Sequence, residues 1–354
     1  MILTGTEYRN TPFDIWAQLE FLYSGASGHV SFEKFKQFYG LYAAYTPGGR
    51  KELLALNAER VPLLKERIAR HSFKVTKEEV LPYLPKKAFD ILSCALSKEQ
   101  SKAYAAVCDS LKLQFETYSG PASLTVSNFL SQMLRLAEIT SGYAALDAQV
   151  PDAKQLEQIL NNDMIPTLQR ELYRFDPNPK LDLLVETLLD KEPTQKTQVW
   201  CAFRENVKQI NARLRLEGIK AVMYYGATSS SDREIAVKSF NCDSDIKVFI
   251  GIASAGGVGL NLVGYDVTNP TTSLTNCDHA IYYSMNWSKV DYEQSQDRGH
   301  RMTTRVPLRI SRLIVPNSID GQILGRVEDK IEMAKDMSDI SAILSKVLNP
   351  LGEN

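Results

Sequence analysis

After Lys180 the chain alternates between two kinds of segment. Short runs of β-branched and aromatic residues (TQVWCAF, IKAVMYY, IKVFIGIAS, HAIYYS, LRISRLIV) are separated by stretches whose apolar residues recur three and four apart. Such alternation predicts a parallel sheet whose strands are joined by helical crossovers, an α/β fold. Two of the crossovers can be bounded. A helix from about Arg204 carries Phe203, Val207, Ile210 and Leu214 on one face and stops at Gly218. A second is announced by Ser231 with Glu234 three residues on, the capping-box spacing, and ends near Asn241. The strand IKVFIGIAS runs directly into SAGGVGLNL. Open α/β sheets place ligand loops at such carboxyl ends.

Residues 12–178 read differently. FDIWAQLEFL, VPLLKERIAR, KEQSKAYAAVCDSLKL and VSNFLSQMLRLAEI have helical spacing, broken at TPGG, LPYLPKK and FDPNPK. The last break marks the change of pattern. The expected divisions are therefore 1–45, 46–178, 179–315 and 316–354, the second and fourth mostly helical.

The 354 residues hold 44% hydrophobic and 23% charged side chains, enough for a sizeable core. The five cysteines are scattered and never form C-x-x-C, so neither a disulfide framework nor a zinc site is indicated. There is no leader-like start and no run of about 18 apolar residues, which favours a cytoplasmic protein without membrane spans. The net charge of -1 gives the surface as a whole little attraction for nucleic acid, so any such binding needs a local basic patch.

One such patch exists. RGHRMTTRVPLRISR, residues 298–312, holds five arginines and no acid, with Arg309 and Arg312 assigned to the following strand. Arg298 and Arg301, three apart, would share a helix face, and guanidinium groups match phosphate oxygens with paired donors. Gln294 and Asp297 would orient them. A solvated helix face is the plain alternative. In SAGGVGLNL, Gly256, Gly257 and Gly259 let the backbone NH groups approach a phosphate, and Asn261 adds a polar group beyond them; a tight ligand-free turn capped by asparagine is equally consistent. The G-x-G-x-x-G spacing of a dinucleotide fold fails, because Leu262 stands at the third glycine, so a nicotinamide-dependent dehydrogenase is disfavoured.

Taken together, these stretches resemble the motif series of superfamily 2 helicases in the form of the Swi/Snf-type DNA translocases. QSQDRGHR, in its Q-x-x-D-R-x-H-R pattern, resembles motif VI and SAGGVGLNL motif V. WCAF resembles motif IV, with YGATSSSDREIAVKSFN like the stretch between IV and V. LTGTEYRN at 3–10 resembles motif III, followed by the tryptophan-bearing DIWAQLEFL. KVTKEEV, LPKK, LRLAEITSGY and SIDGQILGRVEDK complete an ordered likeness over nearly the whole chain. Departures are Glu7 for a proline in motif III, Ser288 and Lys289 for Asn-Pro after Trp287, and no Gly-Gln after motif VI.

The resemblance implies a RecA-like C-terminal lobe. It further implies ATP hydrolysis, with Arg298 and Arg301 on the nucleotide phosphates and Gln294 assisting. Gly257, Gly259, Asn261, Asp297, His300, Thr4, Gly5 and Thr6 would bind ATP or couple its state to DNA. Gly226, Thr228, Ser229, Ser254 and Trp287 would face the backbone of double-stranded or branched DNA. Arg135, in a helical protrusion, would face it too unless it is plain surface. The sequence contains no Gly-Lys and no Asp-Glu dipeptide, hence no Walker A loop or family motif II. A first lobe supplied by another segment or protein would therefore cradle ATP and hold Mg2+, and the chain alone is expected to be inactive, in a bacterial or viral-host cytoplasm. A non-catalytic DNA-binding or regulatory module with the same lobe fold is the alternative.

Overall fold

The computed structural model describes residues 12–43, 52–73, 75, 77–117, 126–145, 172–255, 260–269 and 275–338. They fall into two compact units, Met1–Pro82 with Val327–Asn354, and Tyr83–Arg326.

The first unit opens with α1 (Ile15–Leu22) and α2 (Phe32–Tyr39), followed by the antiparallel pair β1 (Gly40–Ala43) and β2 (Glu52–Leu56), then α3 (Val61–His71) and α4 (Lys77–Val80). Ser31 caps α2 by accepting from the Lys34 NH. Phe13, Ile15, Leu19, Phe35, Tyr39, Val61 and Leu64 form its core.

The second unit contains β3 (Ala88–Ser93), α5 (Lys98–Thr117), α6 (Val126–Thr140), β4 (Tyr143–Ala145), β5 (Leu172–Arg174), α7 (Pro179–Leu189), β6 (Gln195–Cys201), α8 (Arg204–Leu216), β7 (Ala221–Tyr224), α9 (Ser230–Cys242), β8 (Val248–Ile252), β9 (Asn276–Tyr282), α10 (Lys289–Gly299) and β10 (Arg309–Ile314), and in it α11 (Ile319–Ser338) begins. Six strands make one sheet in the order β3-β10-β9-β6-β8-β7. Every neighbouring pair is parallel, as the alternation predicts, and the fold is of the expected α/β class. Leu184, Val199, Ile210, Leu214, Ile250, Ile281 and Leu313 pack α7 and α8 against the sheet. Each such side chain contributes about 1.5–3 kcal/mol on burial. Trp200, Tyr224, Phe240 and Phe249 form an aromatic cluster in the same sheet, with Phe240 reaching in from α9.

Local signals held where they were strongest. α8 buries Val207, Ile210 and Leu214 and ends before Gly218, whose φ of 74° is the left-handed value that favours glycine. α9 runs one residue past Asn241, but its cap is Ser229, not Ser231: the Ser229 hydroxyl accepts from the Asp232 NH at 3.2 Å and donates to the Asp232 carboxylate at 2.7 Å. Three serines in a row offer the same chemistry, and the extended backbone at Ser229 selects the first. The largest departure is in the region read as helical. Its segment AFDILS is β3, paired with β10 in register Ser311↔Asp90. A six-residue strand whose partner lies more than two hundred positions away leaves no hairpin signal.

Two buried features of this sheet have measurable consequences. His279 is fully buried on β9, its Nε2 2.6 Å from the Ser311 hydroxyl, which donates to Asp90 at 2.5 Å. Burial, reinforced by Lys191 and Arg309, pushes its pKa from 6.5 down to about 3. The unfolded chain therefore takes up a proton below about pH 6.5 that the folded chain refuses until about pH 3. Stability from this residue is present above that window and declines as pH falls through it, at up to about 1.4 kcal/mol per pH unit. Urea unfolding between pH 7 and 4 should show the decline, and His279→Gln should flatten it.

Gly299 ends α10 against β6, where an added Cβ would lie 2.4 Å from Gln198 Nε2. That amide is buried and bonded on both sides, so it cannot yield without losing contacts. Gly299→Ala should cost about 1–3 kcal/mol in urea unfolding at constant m-value.

Candidate functional site

The structure brings Leu260 and Leu262, which follow the glycines, together with the arginine run, though not at the carboxyl ends of the strands. The crossover from β9 to β10 carries the chain from the carboxyl end of one strand to the amino end of the next, so α10, about 16 Å long, separates Trp287 from the arginines. Ser288 caps α10 by accepting from the Asp291 NH at 3.2 Å. At its other end the carbonyl of Arg298 accepts from the Leu262 NH at 2.9 Å, and Arg301 Nη2 donates to the Leu260 carbonyl at 2.7 Å. The two residues leaving the glycine stretch are thus hydrogen-bonded by the two arginine positions.

Arg298 and Arg301 do not share a helix face, because α10 stops at Gly299 and His300 takes the C-cap. The turn that follows, closed by the Arg301 NH on Thr304 Oγ1 at 2.7 Å, returns Arg301 toward Leu260. Burial, and then the charge of Arg301, hold the Arg298 guanidinium below its usual pKa, with Asp297 opposing them. The charge of Arg301 therefore bears on Arg298, and both side chains are partly buried. Arg301 Nε is buried with no hydrogen-bond partner among the described residues, and so is Asn261 Oδ1. Leaving such a group unmatched costs about 1–3 kcal/mol. A donor on a charged guanidinium fits an anion such as a phosphate; the Asn261 oxygen fits a hydroxyl or NH.

The other expected site residues are distributed as follows. Gln294 is exposed on α10, and Asp297 is half-buried and paired with Lys87 Nζ at 3.1 Å. His300 Nε2 lies 2.6 Å from the Pro85 carbonyl, which only accepts, so the ring proton of that contact is on Nε2. Gly226, Thr228 and Ser229 form the turn after β7. The Gly226 carbonyl accepts from Arg233 at 2.9 Å, Thr228 Oγ1 accepts from the Tyr225 NH at 3.3 Å, and the Ser229 hydroxyl is the α9 cap. Ser254 is exposed in the short turn Ala253–Ala255 after β8, which packs against α10. Trp287 packs, half-buried, with Leu136, Tyr143, Phe203 and Ile319. Arg135 is half-buried on α6. Thr4, Gly5, Thr6, Gly257 and Gly259 lie outside the described residues.

Three residues that hold this arrangement were not singled out as site residues by the sequence. Gln198 donates to the Leu262 carbonyl at 3.0 Å, Asn241 bridges the Asn261 carbonyl at 2.7 Å and the Gly264 NH at 3.0 Å, and Lys87 holds Asp297. A polar residue inside the apolar run TQVWCAF was the one available hint for Gln198, and LPKK for Lys87.

Comparison with known proteins agrees with the motif order. Residues 1–142 match the SNF2-related domain and residues 179–303 the helicase conserved C-terminal domain. An uncharacterised ATP-dependent helicase of Schizosaccharomyces pombe is 29% identical over 47% of this chain and 15% of its own length. From Saccharomyces cerevisiae, the transcription regulatory protein SNF2 is 25% identical over 94% of this chain and 18% of its own, and the nuclear protein STH1/NPS1 is 25% identical over 94% and 23%. The chain thus spans less than a quarter of each of these relatives. The solved Sulfolobus solfataricus SWI2/SNF2 ATPase core domain is a more distant likeness, with a TM-score of 0.48 and 21% identity over 92% of this chain and 57% of that one. A nuclear relative gives the expected cytoplasmic compartment no support, and none of these relatives favours a bacterial or viral host. Among the described residues no helix is long and apolar enough to cross a membrane. The two matches, in this order, make the chain similar to the Swi/Snf-type superfamily 2 helicases along most of its length.

Proposed function

We propose that this chain supplies the arginine-bearing lobe of an ATP-dependent DNA translocase, with Arg298 and Arg301 directed at nucleotide phosphates. The observation that carries the reading is the buried Nε of Arg301, without a hydrogen-bond partner among the described residues, on a side chain bonded to the Leu260 carbonyl. A partly buried guanidinium with an unmatched donor gains from an anion there, and charge-assisted bonds from arginine are among the strongest available to a protein. Gln294, exposed one turn before Arg298, would assist at the same ligand. Asn261 would hold a donor group, and Gly257 and Gly259 would line the turn.

The triphosphate loop and the acid that holds Mg2+ would come from polypeptide outside these 354 residues, since the sequence contains neither dipeptide they require. When bound, ATP with Mg2+ supplies the transferable phosphoryl group. The role of this chain is to neutralise charge on the phosphate oxygens and to position, not to provide a nucleophile. DNA is the second proposed partner, in keeping with relatives named as an ATP-dependent helicase and a transcription regulator. The turns at Gly226–Ser229, Ser254 and Trp287 follow the carboxyl ends of β7, β8 and β9, where contacts to a DNA backbone would position the duplex without reading its sequence. Arg135 would add a charge from α6.

Mixing the chain with a first lobe of the same family and double-stranded DNA should give ATP hydrolysis well above either part alone. Arg301→Ala should lower the rate by about 10³–10⁵, with urea stability close to that of the parent. DNA binding that weakens with salt but brings no partner-dependent hydrolysis would instead identify a non-catalytic DNA-binding module.

A further inference from the structure

We propose that Lys196 is a positioning residue that fixes Asn241 and, through it, the segment 261–264 beside Arg301. What that position serves rests on the phosphate-facing reading of Arg301. Lys196 lies in β6 with none of its surface exposed, and its Nζ donates to the Phe240 carbonyl at 2.5 Å and to the Asp243 carbonyl at 2.7 Å. Those carbonyls belong to the last turn and the C-cap of α9, where a helix has no acceptor partners of its own and its dipole favours a cation. Asn241 stands between them in the chain. Its carboxamide donates to the Asn261 carbonyl at 2.7 Å and accepts from the Gly264 NH at 3.0 Å.

An ammonium group is costly in this place. Burial, and then the charge of Lys247, bring its pKa from 10.5 down to about 8, with Asp243, Cys277 and Cys242 opposing them. Up to about pH 8 the folded chain therefore carries a charge that the interior disfavours, and the cost is relieved only as pH rises from there toward 10.5. A neutral amide would satisfy one such carbonyl at less cost. The ammonium, with three donors on one atom, draws both carbonyls to a single point and so sets the turn that carries Asn241. β6 thus reaches the segment by two routes, through Gln198 on the Leu262 carbonyl and through Lys196 and Asn241 on its flanks. The same segment and the residue before it bond the Arg298 carbonyl and Arg301 Nη2, so slack at Asn241 is slack beside Arg301.

The test follows amide hydrogen exchange by NMR in the full chain and needs no nucleotide. Lys196→Met should speed exchange of the Leu262 and Gly264 NH groups by about tenfold or more, the loss of one charge-assisted bond. Amides of β8 should change by no more than urea unfolding of the same variant accounts for. Asn241→Ala should reproduce the rise, and Lys196→Met/Asn241→Ala should go no higher than Asn241→Ala alone, because the lysine acts through the asparagine. Lys196→Gln, which keeps one neutral donor, gives the same comparison if the methionine variant does not fold. Unchanged exchange at Leu262 and Gly264, a rise shared equally by β8, or rises that multiply in the double variant overturns the proposal. If exchange follows the expected pattern while the parent, mixed with a first lobe and DNA, hydrolyses no ATP above background, the positioning role stands and the phosphate-facing reading of Arg301 fails.

Discussion

The amide of Gln198 is the contact on which the site depends. Its nitrogen, inside the parallel sheet, reaches the Leu262 carbonyl at 3.0 Å and Cys277 Sγ at 3.2 Å, and its oxygen accepts from Trp200 Nε1 at 3.2 Å. Gly299 lies directly over it. One buried side chain thus ties β6 to the segment leaving the glycine stretch and sets how closely α10 approaches. Buried polar groups are costly unless matched, and this one is matched at both ends, so it specifies a single arrangement. Asn241 repeats the device one layer out, reading the Asn261 carbonyl and the Gly264 NH together.

On that scaffold the electrostatics are local. The chain is nearly neutral, yet the last turn of α10 and the residues after it concentrate positive charge beside a backbone segment fixed from three directions. Asp297, next to Arg298 in the chain, is paired with Lys87. Charges elsewhere in the unit are paired more conventionally: Lys180 meets Asp320 at 2.6 Å in the interior, and Asp320 also accepts from Thr140 and the Val315 NH. That buried pair joins α6, α7 and the start of α11. Its removal from one side would leave an uncompensated charge, which is why such networks fix geometry more than they add stability.

Much of this was legible from residue order. The five runs that alternate with helical segments became β6 to β10, because period and length are local properties that survive folding. Val207, Ile210 and Leu214 lie buried together for the same reason, while Phe203, also buried, packs with Leu136, Tyr143 and Ile319. β3 was not legible. AFDILS follows two prolines and a short charged stretch, and its parallel partner LRISRLIV is reached only through the whole sheet. The capping serine was misplaced by two residues because Ser229, Ser230 and Ser231 are chemically alike and only backbone geometry separates them. Lys87 is a matter of tertiary distance alone, 210 positions from its acid.

Residue order by itself determined the sheet class, the family likeness and the grouping of arginines near a glycine stretch, since each depends on pattern within a window of some tens of residues. Tertiary structure decided the rest: that Arg298 and Arg301, on either side of the helix end, both bond the segment 260–262, that Asp297 is held by Lys87, and that Gln198 and Asn241 pin the same segment. Side-chain amides and ion pairs across such separations have no local signature. They exist only when the sheet has brought their backbones together, and it is burial at that moment that makes them strong enough to matter.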